Sequence, residues 1–280
     1  MQIIRNSKAL LSQLSNLKEA ESQMTLGFVP TMGALHPGHL SLIEAAKKQT
    51  KFVVASIFVN PTQFNDSDDL NRYPRKEKSD LEMLKSVGCD MVFLPEVEDI
   101  YPNPKEKYEI DLGFLDEVME GEFRPNHFTG VARVVERFFS LIRPDIAFFG
   151  EKDIQQLAVI RRMTEIRNLD VDVRGVETKR ETDGLAMSSR NLLLNESQRQ
   201  EATHVFETLK YGQQLIKEIK DVNVIREKMV AFCKNSKLEL EYLELVDNQS
   251  LRSATSVDNC RACIAAYCGK VRLIDNMALF

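Results

Sequence analysis

The chain leaves a predicted strand and enters a predicted helix through Val29-Pro-Thr-Met-Gly-Ala-Leu-His-Pro-Gly-His39. The glycine supplies the turn, and Pro37 suits the first position of the helix. Because a helix N-terminus carries unpaired main-chain N–H groups and a partial positive charge, it favours phosphate. His36 and His39 are three residues apart and can face one region, where imidazole N–H groups donate to phosphate oxygens. The stretch therefore predicts a strand–turn–helix unit that binds phosphate.

Buried strands and helical patterns alternate around this stretch. Predicted strands occupy residues 25–29, 52–59, 91–94, 146–149 and 171–176. Predicted helices between them occupy residues 38–49, 77–87, 131–142 and 153–168. This alternation predicts the α/β class, with a parallel sheet covered by helices and with ligands at the carboxyl ends of the strands.

The pattern changes after about residue 176. Two helical stretches, residues 196–220 and 222–235, precede predicted strands at residues 238–246, 262–267 and 271–274. We therefore expect two domains, a parallel-sheet domain of residues 1–177 and a smaller α+β domain of residues 178–280. No linker rich in Pro, Gly or Ser marks the boundary between them.

Composition narrows the classes of function. The 280 residues carry a net charge of −5, with 43% apolar and 28% charged residues. This is the balance of an ordinary globular protein, and the acidic excess argues against a chain dedicated to nucleic acid. The longest apolar stretch, residues 52–59, is too short to span a bilayer, and the N-terminus lacks the pattern of a signal peptide. We expect a cytoplasmic protein without a nucleic-acid or membrane partner.

The chain has five cysteines, an odd number. Cys260-x-x-Cys263 has the spacing of half a zinc site, but no second pair of cysteines or histidines follows at ligand spacing. We expect reduced thiols that are buried in an apolar segment rather than a metal site.

Two neutral amides follow the second of the predicted strands. In Phe58-Val-Asn-Pro-Thr-Gln-Phe64, Asn60 and Gln63 offer hydrogen-bond donors and acceptors without charge. An Asn-Pro pair is also typical of a simple turn, so a purely structural role for this segment is the alternative.

A further polar cluster lies in Phe148-Phe-Gly-Glu-Lys-Asp-Ile-Gln-Gln156, which ends a strand and begins a helix. Lys152 supplies a point charge that suits phosphate. Asp153 either caps the helix or holds a ribose or a metal ion. The phase of the helix decides whether Gln155 or Gln156 faces the site.

The last polar cluster is Asp183-Gly-Leu-Ala-Met-Ser-Ser-Arg-Asn191. Its two hydroxyl groups and one guanidinium lie on a loop that begins with glycine, so they can wrap a triphosphate and close over it. Neither G-x-x-x-x-G-K-[ST] nor G-x-G-x-x-G occurs in the chain. If ATP binds, the turn with the two histidines must hold its phosphates.

The paired histidines also permit structural interpretations. His39 shares helical spacing with Leu42, Ile43 and Ala46 and could border the core face. A zinc pair lacks a third ligand at suitable spacing. We favour the functional interpretation, because two of the four histidines of the chain lie at one strand-to-helix turn.

The motifs together resemble those of a known superfamily. His36-Pro-Gly-His39 is similar to the His-x-Gly-His signature of the adenylate-forming nucleotidyltransferases related to class I aminoacyl-tRNA synthetases, and Met187-Ser-Ser-Arg190 resembles their mobile phosphate loop. A finer resemblance, to the pantothenate synthetase (pantoate–β-alanine ligase) family, extends over nearly the whole chain. It rests on segments 30–40, 58–64, 73–75, 123–131, 150–156, 183–191 and 269–276.

The resemblance implies a two-step ligase. ATP and (R)-pantoate would give pantoyl-adenylate and pyrophosphate, and β-alanine would then attack to give pantothenate, a coenzyme A precursor, and AMP. It further implies a Rossmann-like first domain that binds ATP and pantoate, a smaller C-terminal lid domain, Mg²⁺ with ATP, and a homodimer.

The resemblance also implies roles for individual residues. The matched motifs imply an ATP site formed by Met32, Gly33, Ala34, Leu35, His36, Pro37, Gly38, His39, Gly150, Glu151, Lys152, Asp153, Lys179, Met187, Ser188, Ser189 and Arg190. The residues expected to act in catalysis are His39, His36, Lys152, Ser188, Ser189 and Arg190. Gln63 and Gln156 would hold pantoate, with Asn60 beside them and Gln63 also near β-alanine. No metal ligand is assigned.

Three residues depart from the family pattern. Lys179 replaces an apolar residue whose main chain meets the nucleotide, so its side chain must point away. Ser79, before Asp80, replaces an acidic residue, which leaves the metal ligands open. Arg133 replaces a small residue and could alter how the segment around His127 packs.

Two other functions remain as alternatives. A related nucleotidyltransferase would use another acid or nucleotide, and pantoate-dependent ATP–pyrophosphate exchange separates the two. A catalytically silent nucleotide sensor would keep the fold without turnover, but the intact His36, His39, Lys152 and Arg190 argue against it.

Overall fold

The computed structural model describes residues 1–21, 23–64, 70–71 and 73–280, and these residues form two compact units. The first unit comprises Met1–Glu151 and Gln155–Glu177. The second unit comprises Lys152–Ile154 and Thr178–Phe280, so a short piece of chain at Lys152 packs with the C-terminal residues.

A six-stranded parallel sheet forms the centre of the first unit, in the order β1-β4-β3-β2-β5-β6. Its strands are β1 Gln2–Ile4, β2 Leu26–Thr31, β3 Phe52–Ile57, β4 Met91–Phe93, β5 Ile146–Gly150 and β6 Asp172–Val176. The predicted α/β class with a parallel sheet is thereby confirmed. The edge strand β1 was not predicted, because three residues, two of them exposed, are too few to show a pattern.

Helices pack on this sheet and bury its strands. They are α1 Ser7–Ala20, α2 Pro37–Gln49, α3 Glu77–Ser86, α4 Val97–Ile100, α5 Glu120–Phe123, α6 His127–Ile142 and α7 Ile154–Ile166. The β3 residues Val53, Val54 and Ala55 have no exposed surface, as expected for a strand between two helical layers. The ring of Phe28 on β2 packs on Phe138 of α6, with 5.5 Å between their centroids.

Two predicted helices begin elsewhere than expected. Helix α6 starts at His127 rather than residue 131, because Asn126 turns the chain in a left-handed conformation (φ 64°) immediately before it. The helix predicted for residues 153–168 begins as a 3₁₀ turn, Glu151–Asp153, and continues as α7.

The second unit has a three-stranded antiparallel sheet in the order β7-β8-β9. Its strands are β7 Glu239–Asp247, β8 Cys260–Cys268 and β9 Val271–Ala278, and its helices are α8 Glu196–Glu201, α9 His204–Glu218 and α10 Val222–Lys234. The single helix predicted for residues 196–220 is therefore two helices. Apolar side chains of α9 and α10, such as Leu209 and Met229, bury the sheet around Ile264.

Two sequence expectations concern burial and membranes. All five cysteines are free and buried, and Cys260 and Cys263 both lie on β8. Within the described ranges, no helix combines the length and the apolar character needed to cross a bilayer.

Candidate active site

A strained turn joins β2 to the paired histidines. Gly33 and Ala34 both have positive φ angles, 81° and 48°, and the second is unusual for a residue with a Cβ atom. The carboxylate of Asp80 on α3 holds this turn, accepting the main-chain N–H groups of Ala34 at 2.9 Å and of Leu35 at 2.8 Å. Two amides of the predicted ATP segment therefore bind a side chain of the protein itself.

Asp80 is only 2% exposed. Burial raises the pKa of its carboxyl group, and the hydrogen bonds from Leu35 and Ala34 oppose that rise. Sequence reasoning missed this role, because Asp80 is 46 residues from Ala34 and no local pattern links the two. Ser79, the departure from the family pattern, is exposed on the first turn of α3.

His36 and His39 lie against each other at the start of α2, with 4.0 Å between their ring centroids. His36 is the N-cap, and its Nδ1 accepts the N–H of Gly38 at 3.2 Å. The Nδ1 of His39 accepts the N–H of His36 at 3.3 Å. Because Nδ1 is an acceptor in both rings, the neutral form of each carries its proton on Nε2. Both rings thus have an Nε2–H group that can donate to phosphate.

The histidines are half-buried rather than part of the core. Helix α2 buries Leu42, Ile43 and Ala46, which form the core face considered above as an alternative for His39. His39 borders this face, yet its Nδ1 has a defined capping bond. A structural and a chemical role are therefore combined in one side chain.

Asn60 and Gln63 form a buried pair after β3. The Nδ2 of Asn60 donates to the Oε1 of Gln63 at 3.1 Å and to the carbonyl of Gly130 at 3.1 Å. Its Oδ1 accepts the hydroxyl of Tyr101 at 2.8 Å and that of Thr62 at 3.0 Å. Both polar atoms of Asn60 are thus engaged with the protein, in a 3₁₀ turn (Pro61–Gln63) that Asn60 caps.

The side chain of Gln63 lies next to the turn before the histidines. Its Nε2 is 2.8 Å from the Sδ of Met32, and the residue as a whole is 7% exposed. His127 donates from Nδ1 to the main-chain carbonyl of Gln63 at 2.8 Å. The structure therefore brings together, in the first unit, Met32, the paired histidines that follow it, and Gln63.

Gly130 allows α6 to approach this pair. A Cβ atom at Gly130 would lie 2.3 Å from the carbonyl oxygen of Thr62, so any larger residue would push the 3₁₀ turn away. The departure Arg133 does not disturb this packing. Its guanidinium lies over the ring of Tyr101, 4.6 Å from the centroid, and donates to the carbonyl of Glu106.

The phase of α7 separates its two glutamines. Gln155 is buried, and its Nε2 donates to the carbonyls of Leu115 at 2.7 Å and Val118 at 2.8 Å. Its Oε1 accepts the N–H of Glu120 at 3.1 Å. Gln155 is therefore a structural residue, whereas Gln156, on the next position of α7, is half-buried.

Lys152 and Asp153 lie in the 3₁₀ turn after β5, and both are half-buried, as are Gly150 and Glu151. In the second unit, the main-chain carbonyl of Lys152 accepts a hydrogen bond of 2.8 Å from the Nδ2 of Asn276 on β9. This contact could not be predicted, since 124 residues separate the two.

A hairpin in the second unit leads to the serine–arginine loop. The N–H of Met187 donates to the carbonyl of Lys179 at 3.0 Å, and Arg180 pairs with Ala186 in an antiparallel bridge. The side chain of Lys179, a departure from the family pattern, is exposed. Ser188 then caps the 3₁₀ turn Ser189–Leu193 by accepting the N–H of Arg190.

Arg180 holds the base of this hairpin. Its guanidinium forms a two-pronged ion pair with the buried carboxylate of Asp275, with an NH2–Oδ1 distance of 3.0 Å. It also donates to the carbonyl of Gly184 at 3.1 Å and lies over the ring of Phe206. Gly184 is required here, because a Cβ atom would meet that ring at 2.1 Å.

The chain is similar to several known proteins over nearly its whole length. The sequence pattern of the Pantoate-beta-alanine ligase family matches residues 2–278. The pantothenate synthetase of Thermosipho melanesiensis is 45% identical over 254 residues, which are 90% of each chain. The solved pantothenate synthetase of Thermus thermophilus has a TM-score of 0.93 and 37% identity, with 100% of both chains covered. The pantoate-beta-alanine ligase of Francisella tularensis, complexed with beta-gamma ATP and beta-alanine, has a TM-score of 0.84 and 33% identity, covering 100% of this chain and 98% of that one.

Proposed function

Since the chain belongs to the pantoate–β-alanine ligase family and forms pantothenate in an ATP-dependent reaction, we propose that it acts through pantoyl-adenylate. A carboxylate oxygen of (R)-pantoate attacks the α-phosphorus of ATP, and pyrophosphate leaves. The amine of β-alanine then attacks the acyl carbon, the bond from that carbon to the phosphate oxygen breaks, and AMP and a proton are released. The first step needs positioning and charge stabilisation more than covalent help from the protein.

The paired histidines carry this proposal. Because both Nδ1 atoms accept main-chain N–H groups, both Nε2–H groups of His36 and His39 are oriented donors. Such donors stabilise the negative charge that grows on a departing pyrophosphate, and losing one costs on the order of 10²–10³ in rate. The start of α2, with Pro37 and Gly38, adds the positive end of a helix dipole.

We assign pantoate to neutral amides. Gln63 and Gln156 would orient its carboxylate by hydrogen bonds, whereas an arginine would stabilise that carboxylate and weaken its attack. Asn60 was expected to touch substrate as well, but its polar atoms bind Gln63, Gly130, Thr62 and Tyr101. We therefore propose that Asn60 orients Gln63. Replacement of Gln63 by arginine should slow adenylation.

The remaining ATP contacts are assigned by motif position. We propose that Lys152, Ser188, Ser189 and Arg190 neutralise the triphosphate. The other proposed nucleotide contacts are Met32, Gly33, Ala34, Leu35, Gly150, Glu151, Asp153, Lys179 and Met187. At Ala34 and Leu35 these contacts would use atoms other than the N–H groups that Asp80 binds.

The second step needs an intermediate that is protected from water. We propose that residues 178–280 act as a lid domain, with Met187–Arg190 as its mobile part, over a domain of residues 1–177 that binds ATP and pantoate. Gln63 would also lie near β-alanine. Hydrogen exchange at residues 187–190 should slow when ATP and pantoate are added, and unchanged exchange would contradict a lid role.

Mg²⁺ is proposed to enter with ATP. Among the residues that the structure describes, no three His, Cys, Asp or Glu side chains are grouped to hold a metal ion. Both oxygens of Asp80 accept main-chain N–H groups, and Ser79 has no carboxylate. The described part of the chain therefore shows no metal cage, and Mg²⁺ would be bound by phosphate oxygens and water, as it commonly is in nucleotide sites.

The test of the proposed route is partial-reaction kinetics. We expect ATP–pyrophosphate exchange that requires pantoate, proceeds without β-alanine, and is not supported by amino acids. AMP release should require all three substrates. Exchange without pantoate, or AMP release without exchange, would exclude the adenylate.

Compartment and assembly complete the proposal. We propose a cytoplasmic enzyme, supported by five free cysteines, which suit a reducing compartment. We also propose a homodimer, supported by the family resemblance. Light scattering coupled to gel filtration should give about twice the 32.0 kDa of one chain.

A further inference from the structure

Asn276 on β9 is 4% exposed and makes polar contacts through both its main chain and its side chain. Its N–H donates to the Oδ1 of Asp275 at 2.8 Å, and its carbonyl accepts from the NH2 of Arg180 at 3.3 Å. Its side-chain Oδ1 accepts from Arg261, and its Nδ2 donates to the carbonyl of Lys152 at 2.8 Å. All five residues belong to the second unit.

The orientation of the Asn276 amide follows from chemistry. The guanidinium of Arg261 can only donate, so the side-chain atom that faces it must be the oxygen. The Nδ2 group is consequently turned towards the carbonyl of Lys152, which can only accept. An aspartate at position 276 could satisfy Arg261 but not Lys152.

The same strand also holds the hairpin before the serine–arginine loop. Asp275, next to Asn276, pairs with Arg180, and Arg180 forms the bridge to Ala186 at the hairpin base. Asn191, at the far end of the loop, donates from Nδ2 to the carbonyl of Ala186 at 3.0 Å. Two adjacent residues of β9 therefore support both Lys152 and the loop at residues 187–190.

We infer that Asn276 is a positioning residue of the adenylation step, which fixes the main chain at Lys152 so that its ammonium group reaches the phosphates. The inference rests on the proposed role of Lys152. The ammonium group of a lysine lies at the end of a flexible chain of four carbons. If the main chain at residue 152 also moved, the charge would be spread over a large volume. A displacement of about 1 Å at a reacting group can cost about 10²-fold in rate.

A purely structural strap is the competing explanation. Asn276 would then stabilise β9 without any specific effect on Lys152. A double-mutant cycle separates the two, because residues that act through one another have non-additive effects.

The experiment compares Asn276→Ala, Lys152→Ala and the double variant in pantoate-dependent ATP–pyrophosphate exchange. We expect Asn276→Ala to lower kcat about tenfold with a small change in the KM for ATP. Lys152→Ala should lower kcat on the order of 10²-fold or more. The double variant should be no slower than Lys152→Ala, because Asn276 would then have no lysine side chain to position. Multiplying losses would overturn the inference.

The chain offers a matched control. Gln213 on α9 donates from Nε2 to the carbonyl of Ala278 at 2.8 Å, which is the same kind of bond to the same strand. Gln213→Ala should lower the melting temperature, by less than Asn276→Ala because the latter also loses the bond from Arg261, and it should leave kcat unchanged. An equal loss of kcat in both variants would show that the effect is structural.

A second variant covers the case in which Asn276→Ala does not fold. Asn276→Asp keeps the shape and the acceptor for Arg261 but sets an oxygen against the carbonyl of Lys152. It should show the same non-additivity with Lys152→Ala, and normal exchange in Asn276→Asp would overturn the inference. If Lys152→Ala alone were nearly normal, the assigned role of Lys152 would fail and the inference with it. If only the cycle were additive, the proposed function would stand without the inference.

Discussion

The Oδ1 atom of Asp80 accepts the main-chain N–H of Leu35 at 2.8 Å. Leu35 directly precedes His36, the N-cap of α2, so this buried carboxylate fixes the main chain immediately before the paired histidines. The arrangement is costly, since an ionised carboxyl group loses hydration when it is buried. The presence of a buried carboxyl group beside an alanine with a positive φ is best explained by the main-chain conformation that it imposes on the turn.

Replacement of Asp80 by asparagine tests this explanation. An amide can accept one of the two N–H groups, but its own NH2 would face the other donor. We expect adenylation to slow by about 10- to 100-fold, because the main chain before the two imidazoles is no longer held in one position. The measurement is ATP–pyrophosphate exchange beside thermal unfolding. Asp90→Asn, which changes another carboxylate that accepts a main-chain N–H, is the control and should leave exchange unchanged.

The pH dependence of stability gives a second test of Asp80. Burial raises its pKa above the ordinary 3.8, so the folded protein holds this proton more tightly than the unfolded chain. The contribution of the Asp80 carboxyl group to stability is therefore fully present below pH 3.8, and it is lost as the pH rises through the raised pKa of the folded protein. The free energy of unfolding of the wild type minus that of Asp80→Asn should fall across that window. A difference that grows with pH would contradict the assignment, and urea unfolding at several pH values measures it.

Two substitutions at His39 distinguish its ring nitrogens. The amide of glutamine can place a donor near the position of Nε2, whereas that of asparagine reaches only the position of Nδ1. We expect His39→Asn to lose exchange activity on the order of 10²–10³-fold and His39→Gln to lose clearly less. Equal losses would mean that the Nε2–H group is not the active donor.

The glutamines of α7 form a matched pair. Gln155→Ala leaves the groups at Leu115, Val118 and Glu120 without their partner and should cost about 1–3 kcal/mol in the free energy of unfolding. Gln156→Ala should leave stability within about 0.5 kcal/mol and raise the KM for pantoate. The measurements are urea unfolding and steady-state kinetics. A pantoate effect confined to Gln155→Ala would reverse the assignment.

Tyr101 connects Arg133 to the pair of Asn60 and Gln63, because its ring lies under the guanidinium and its hydroxyl donates to Asn60. Tyr101→Phe removes only the hydroxyl, and we expect a loss of about 0.5–1.5 kcal/mol in stability and a higher KM for pantoate. Arg133→Ala removes the cation–π contact, worth about 0.5–1 kcal/mol, and should leave the KM for pantoate unchanged. A shift of this KM in Arg133→Ala would show that Arg133 also influences the amides.

The sequence identified the elements whose signal is local. The buried strands and the longer helices are visible because neighbouring residues repeat with the period of a strand or a helix, and the parallel sheet follows from their alternation. The paired histidines and the Asn60–Gln63 segment are visible because polar side chains directly follow predicted strands. The short strand β1 was missed because three residues are too few to show a period. The break between α8 and α9 was missed because one continuous helical pattern can run through two consecutive helices.

Tertiary structure decided which polar groups are used and which are left for ligands. The helical pattern left open whether Gln155 or Gln156 faces the site, although the family resemblance pointed to Gln156, and it is packing against residues 115–120 that engages Gln155. Tertiary structure likewise paired Asp80 with Leu35 and Asn276 with Lys152, across 45 and 124 residues. The physical reason is that a hydrogen bond between distant residues depends on how whole elements pack, whereas periodicity records only the face that each element buries.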